Sequence, residues 1–258
     1  MEANDRIVLI GAGNMATAIA VALEKAGNAP VAVWSRTEES ARLLADRVGA
    51  EWHCSFDTLP PADIVIISIV DSAMCEVASV VANRYPQAMI LHTAGSIPMD
   101  VLRESGANRY GVLYPMQTVN KFNVVPLDNV TVFIEGSDNE VVSRVERLAH
   151  SISSKVVYAT SEQRCYLHIA AVFACNFPNA VYNMVAELLE KNGLPFDSML
   201  PLIDEAARKV HTMHPREAQT GPAKRGDRNV MNTHKKMLDD ELSAIYSLLS
   251  DYIMKRNG

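Results

Sequence analysis

Cysteine is scarce and unpatterned in this chain. Cys54, Cys75, Cys165 and Cys175 are the four in 258 residues, and none forms the CxxC spacing of a redox or zinc motif. A disulfide framework is therefore not expected, and the thiols read as reduced and mostly buried. No apolar run approaches the ~20 residues that span a bilayer, and no signal peptide precedes the first strand. The expectation is a cytoplasmic protein without a membrane partner. Positive charge is also short. With 24 Lys and Arg against 30 Asp and Glu, the net charge is −6, which argues against a nucleic-acid partner. Internal repeats and low-complexity linkers are absent. His211 and His214 are spaced i, i+3 but lack an accompanying Cys or carboxylate cluster, so no metal site is predicted.

What is present is an ordinary globular composition, 48% hydrophobic and 21% charged, with room for one large or two modest domains. Arg6 to Ala20, RIVLIGAGNMATAIA, organises the rest. An apolar strand breaks at Gly11-Ala12-Gly13-Asn14-Met15-Ala16, after which a helical pattern begins with Ile19 and Leu23 on one face. This is the strand, glycine turn and helix start of the G-x-G-x-x-G/A dinucleotide fingerprint. Gly11 permits the turn, Gly13 lets the backbone approach a pyrophosphate, and Ala16 keeps helix and strand close. Asn14 and Met15 join the glycines as cofactor-binding positions, where free N–H groups and the helix dipole face phosphate.

The second strand, Ala29 to Ser35, ends without the Asp or Glu that holds the ribose 2′-hydroxyl of NAD. Ser35-Arg36-Thr37 stands there instead. A guanidinium pairs with a 2′-phosphate that a carboxylate would repel, so the cofactor expected is NADP. Further strands are read at Ala50–Cys54, Asp63–Val70, Met89–Leu91, Tyr110–Tyr114, Val130–Glu135 and Lys155–Ala159, with helices between them. Val70 should pass beneath the cofactor. His92 and Thr93 follow the fifth strand, and Gln117 follows the sixth, at the strand ends where parallel sheets bind ligands. The fold class is α/β: a doubly wound, mainly parallel Rossmann sheet followed by an all-α second domain. Residues 1–159 form the dinucleotide-binding domain, and residues 160–258 a helical substrate and dimerisation domain. A long helix is expected from Ser161 to about Lys191, kinked or broken by Pro178, then one from Asp197 to about His211 and a last one from Asp239.

The N-terminal half resembles the Rossmann domains of pyrroline-5-carboxylate reductase and 6-phosphogluconate dehydrogenase. The segments Leu91-His92-Thr93-Ala94-Gly95-Ser96, Tyr114-Pro115-Met116-Gln117-Thr118, Leu167 to Phe173 with Asn176, Thr220 to Asp227, and His234 narrow the resemblance. Together they are similar to a group of NADP oxidoreductases in which a helical domain of unassigned function follows the Rossmann domain. That resemblance covers essentially the whole chain and implies fold and cofactor class, but names no substrate. The Ser35-Arg36-Thr37 turn is also similar to that of deazaflavin-dependent NADP reductases, which keeps that activity as an alternative. Many related β-hydroxyacid dehydrogenases carry a catalytic Lys on the equivalent helix, whereas this chain has Arg164 and Cys165 in its first turn.

His168 lies among apolar residues early in the long helix, and Asn176, Asn179 and Asn183 share one face beyond it. Histidine is the side chain type suited to proton transfer near neutral pH, so His168 is the expected general acid or base, with Asn176 as substrate anchor. Residues 208 to 236 hold eight Lys or Arg against Glu217 and Asp227, a basic stretch suited to an anionic ligand. Within it Thr220 to Asp227 reads as a loop. Thr220, Arg225 and His234, with Gln117, are the expected substrate-binding residues, and Arg225 is the anion clamp. The reading is an NADP-dependent oxidoreductase acting on a small, anionic molecule, homodimeric through the helical domain. The alternative from another class is an NADP-binding sensor or scaffold without turnover.

Overall fold

The computed structural model describes residues 5 to 257. Eight strands form one sheet in the order β3-β2-β1-β4-β5-β6-β7-β8. They are β1 (Ile7–Ile10), β2 (Ala32–Trp34), β3 (Glu51–His53), β4 (Ile64–Ile67), β5 (Met89–His92), β6 (Arg109–Pro115), β7 (Thr131–Gly136) and β8 (Lys155–Tyr158). All neighbours are parallel except β6 and β7, so the sheet is doubly wound and mainly parallel. Alternate residues of β1 enter different cores. Ile7 and Leu9 pack with α1 (Asn14–Lys25), α2 (Glu38–Val48) and α5 (Asn139–Ile152), while Val8 and Ile10 pack with α3 (Met74–Arg84) and α4 (Asp100–Glu104). A strand covered on both faces has to be apolar throughout, as IVLI and IVII are.

Beyond the sheet the chain is helical: α6 (Ser161–Ala171), α7 (Phe177–Lys191), α8 (Leu200–Lys209), α9 (Pro215–Ala218), α10 (Pro222–Arg225), α11 (Arg228–Lys236) and α12 (Asp240–Asn257). The break expected at Pro178 is a π turn over Val172–Asn176, immediately ahead of the proline. Pro178 offers no N–H to the carbonyl four residues back, which frees the preceding turn to widen. Thr220 to Asp227, read as a loop, contains the short helix α10, started by Pro222 and closed by Gly226 in the left-handed region.

Compact packing divides the chain after Cys175, with the second unit beginning at Asn176. The boundary thus falls one helix later than the 159/160 junction read from sequence. The reason is Arg164 on α6, only 1% exposed, which binds α6 to the sheet. In the second unit the buried residues among those described are Ala223, Met231 and Ser250, and all three apolar clusters lie in the first.

Two expectations are corrected. Cys54 and Cys75 are exposed and Cys165 and Cys175 partly so, because each sits on a strand-end loop or an outward helix face rather than in the core. The other concerns membrane length. Ser161–Lys191 is, by length and composition alone, apolar enough to cross a bilayer, since no Asp, Glu, Lys or Arg interrupts it from Cys165 to Ala186.

Candidate active site

The chain leaves β1 through Gly11, whose φ of +122° only glycine adopts freely. A Cβ there would stand 2.1 Å from the Ser68 carbonyl oxygen, so the turn can lie against the end of β4 only because that position is bare. Gly13 differs. A Cβ built on it meets nothing within 4 Å, leaving open space over the start of α1. Gly13 is the helix's N-cap and supplies no side chain, and no acid occupies the first turn. The first N–H groups of α1 are consequently left for a ligand, and their positive dipole end favours an anion.

A cleft of ≈ 370 Å³ opens here, between the ends of β1, β2 and β4. Gly11, Gly13, Ser35, Arg36, Thr37 and Val70, which the sequence reading assigned to the cofactor, line it, and the size suits a nucleotide half. Sequence reasoning missed Trp34, Ser40, Ser68, Ile69, Val77 and Lys121, which line it too. No acidic residue does. Asn14 does not line the cleft, but its Oδ1 accepts the N–H of Lys121, which does, at 3.1 Å. Met15 instead packs against the core beside α1. These residues fit a dinucleotide: an open cradle at Gly13, unpaired N–H groups and a cation at the ribose end.

At the end of β5, His92 is 0% exposed. Its Nδ1 accepts the Ala94 N–H at 3.2 Å and its Nε2 finds no partner. Burial, helped by the nearby Arg164 charge and opposed by a backbone interaction with Pro98, lowers its pKa to about 3. The imidazole is neutral and sealed, so the cofactor contact expected of this side chain is not available to it. It shapes the loop instead. Thr93 likewise turns inward, donating its hydroxyl to Ser68 Oγ at 2.9 Å and joining the ends of β5 and β4.

The same loop is fastened to α6. Arg164 donates from Nε to the Ala94 carbonyl (3.2 Å), and from Nη2 to the Ile97 carbonyl (2.6 Å) and Ser161 Oγ (3.3 Å). Its Nη1 meets Glu135 Oε2 on β7 at 2.6 Å. Glu135 also accepts the N–H and hydroxyl of Ser161. Arg164 stands where relatives are expected to carry a catalytic Lys, and here it is a buried clamp.

That clamp sets His168 one turn further along α6. Its Nδ1 lies 3.3 Å from the Tyr114 hydroxyl at the end of β6, with the rings edge to face at 6.4 Å between centroids. Gly95 makes the approach possible, since a Cβ on it would lie 2.7 Å from His168 Nδ1. Burial raises the Tyr114 pKa against the opposing effect of Arg164, so the phenol keeps its proton, and the imidazole tautomer sets which of the two groups donates in this bond. His168 belongs to this β5–β6 cluster and does not line the nucleotide cleft. Tyr114 was quoted in the sequence motif without a role.

Gln117, exposed after β6, accepts the Thr118 N–H through its own Oε1. In the second unit Asn176, Thr220 and Arg225 are exposed, and His234 Nδ1 sits 3.0 Å from the Tyr246 hydroxyl.

The sheet order, the glycine turn between β1 and α1, and the acid-free cleft define a dinucleotide-binding Rossmann protein. Residues 6–94 match a family model described as NADP oxidoreductase, coenzyme F420-dependent, and residues 130–253 match a domain of unknown function, DUF2520. The candidate NADP oxidoreductase BF3122 of Bacteroides fragilis is 48% identical, with 98% of each chain covered and a TM-score of 0.93. The chain belongs to this family of NADP-dependent oxidoreductases. Protein TM1727 of Thermotoga maritima (21% identity, 97% and 99% coverage, TM-score 0.80) shares the fold. So does a pyrroline-5-carboxylate reductase of Coxiella burnetii (16%, 98% and 97%, 0.57). No curated protein matches the sequence.

Proposed function

We propose that this protein transfers a hydride between NADP and a small anionic substrate, with Arg36 reading the cofactor's 2′-phosphate. The observation that carries the reading is the cleft itself: a bare glycine cradle with Arg36 in its wall and no carboxylate to neutralise it. When bound, the nicotinamide supplies or accepts the hydride, and the chain has to orient the substrate and manage one proton. His168 is the group proposed for that proton. Its Nδ1 is paired with the Tyr114 hydroxyl, which holds the ring in place and leaves Nε2 as the nitrogen proposed to exchange the proton. Asn176 is proposed to orient the substrate, Arg225 to clamp its negative charge, and Gln117, Thr220 and His234 to be further substrate-binding residues.

The second unit is proposed to close against another copy of itself. Leu202, Met237, Leu248 and Tyr252 are all exposed, and too little is buried for the unit to hold together by core packing alone.

The decisive experiment is calorimetric titration of NADPH and NADH, followed by a metabolite screen at the NADPH absorbance. Losing a charge-assisted phosphate contact costs about 1.5–3 kcal/mol, so Arg36→Ala should shrink the NADPH preference about ten-fold or more. Equal affinities for the two cofactors on the intact protein would defeat the reading. A second reading, in which the redox partner is a deazaflavin, is favoured by the coenzyme F420-dependent description of the model matching residues 6–94. NADPH-dependent bleaching of an added deazaflavin would distinguish it.

A further inference from the structure

We propose that Lys121 is a second ligand of the cofactor's 2′-phosphate, delivered across the sheet by the connection between β6 and β7; this rests on the NADP reading above. Residues 116 to 130 make that connection with almost no regular structure, apart from an isolated bridge between Asn120 and Asn123. At its tip the Phe122 N–H donates to Asn120 Oδ1 (2.9 Å) and the Asn123 N–H to the Asn120 carbonyl (3.1 Å), folding a tight turn.

Both backbone groups of Lys121 are then tied to helices distant in sequence. Its N–H donates to Asn14 Oδ1 at 3.1 Å, on the first turn of α1, and its carbonyl accepts Arg47 Nη1 at 3.0 Å, from the last turn of α2. An exposed loop is thereby fixed between the two helices that flank the cleft. The arrangement sets one residue with respect to the glycine turn.

Lys121 so placed lines the cleft with Gly11, Gly13, Ser35, Arg36, Thr37 and Ser40. Its Nζ stands 5.2 Å from the centroid of the Phe122 ring, itself 80% exposed. Cation–π attraction at an exposed ring is a weak hold that a phosphate dianion would displace. Among the described residues neither Lys121 nor Arg36 forms an ion pair. Two unneutralised cations in one acid-free cleft repel each other unless an anion lies between them.

The choice of phosphate follows from position. Lys121 also borders a neighbouring hollow with Ala12, Ser40, Leu43, Asp46 and Arg47, on the α2 side of the turn, where the one carboxylate, Asp46, lies 3.7 Å from Arg42. That is the side on which β2 presents Ser35, Arg36 and Thr37, where the adenosine ribose lies in this fold, whereas the pyrophosphate is served by the N–H groups of α1.

The test uses the full-length protein and calorimetric titration of NADPH, NADH and adenosine 2′,5′-bisphosphate. Lys121→Met keeps the aliphatic stem and removes the charge. It should weaken NADPH and the bisphosphate about ten-fold or more while leaving NADH within about two-fold, and Lys121→Arg should restore most of the loss. NADPH binding within two-fold of the parent in Lys121→Met would overturn the inference while leaving the NADP reading intact. Equal losses for NADPH and NADH would overturn it too, showing that the strap merely supports the turn or meets the pyrophosphate. If the parent protein binds neither cofactor, both the NADP reading and this inference fall.

Discussion

Removing the Glu135 carboxylate should be among the most damaging single changes in the first unit. Glu135→Leu deletes three acceptor contacts, from Ser161 N–H (2.9 Å), Ser161 Oγ (2.8 Å) and Arg164 Nη1 (2.6 Å). It leaves the guanidinium of Arg164, 1% exposed, with two carbonyls and a hydroxyl but no counter-charge. At an effective dielectric of about 20, opposite charges some 3 Å apart attract by roughly 5–6 kcal/mol before desolvation is charged against them. Breaking a buried pair from one side costs about 3–5 kcal/mol. Replacing both partners, Glu135→Leu with Arg164→Met, should cost much less than the two single changes added together, since no charge is left stranded. Both tryptophans of the chain, Trp34 and Trp52, lie in the first unit. Their fluorescence in urea therefore reports that unit's unfolding without interference from the second. A loss below about 1 kcal/mol in Glu135→Leu, or a double variant as unstable as the sum of the singles, would refute the account of a buried charge clamp.

His92 gives an acid-dependent signature. Its folded pKa of about 3 lies below the ordinary value of 6.5, so the unfolded chain binds more protons between those limits and stability falls as pH drops through them. The loss should reach about 2 kcal/mol by pH 5, and His92→Leu should remove that slope from urea midpoints measured at pH 7 and pH 5. Gly95→Ala would set a methyl 2.7 Å from His168 Nδ1 and 2.9 Å from the Tyr114 ring, displacing the pair. Turnover should fall about ten-fold or more while the NADPH dissociation constant holds within two-fold, and an unchanged kcat would take His168 out of the mechanism. Light scattering at micromolar concentration should return a dimer mass for the parent protein and a smaller one for Leu248→Glu; a monomeric parent would end the proposal that the second unit pairs with a copy of itself.

The strands, the glycine turn and the arginine that follows β2 were legible in the sequence because each is written locally. Runs such as IVLI and IVII report burial on both faces, Gly11 answers a backbone angle, and Arg36 stands at a fixed distance past the glycines. Residue type also singled out His168, since an imidazole in an apolar helix is conspicuous. What it touches was not legible. Tyr114 is 54 residues away in sequence, Glu135 is 29 from Arg164, and Lys121 is 107 from Asn14. Such partners meet only after the sheet has assembled, when strand order decides which loop ends converge, and no local period encodes that. Tertiary packing also decided the fate of single residues. It sealed His92 from the cleft although strand-end position argued for a ligand contact, and it turned Arg164 from the apparent place of a missing catalytic lysine into the buried charge that ties α6 to the loop after β5.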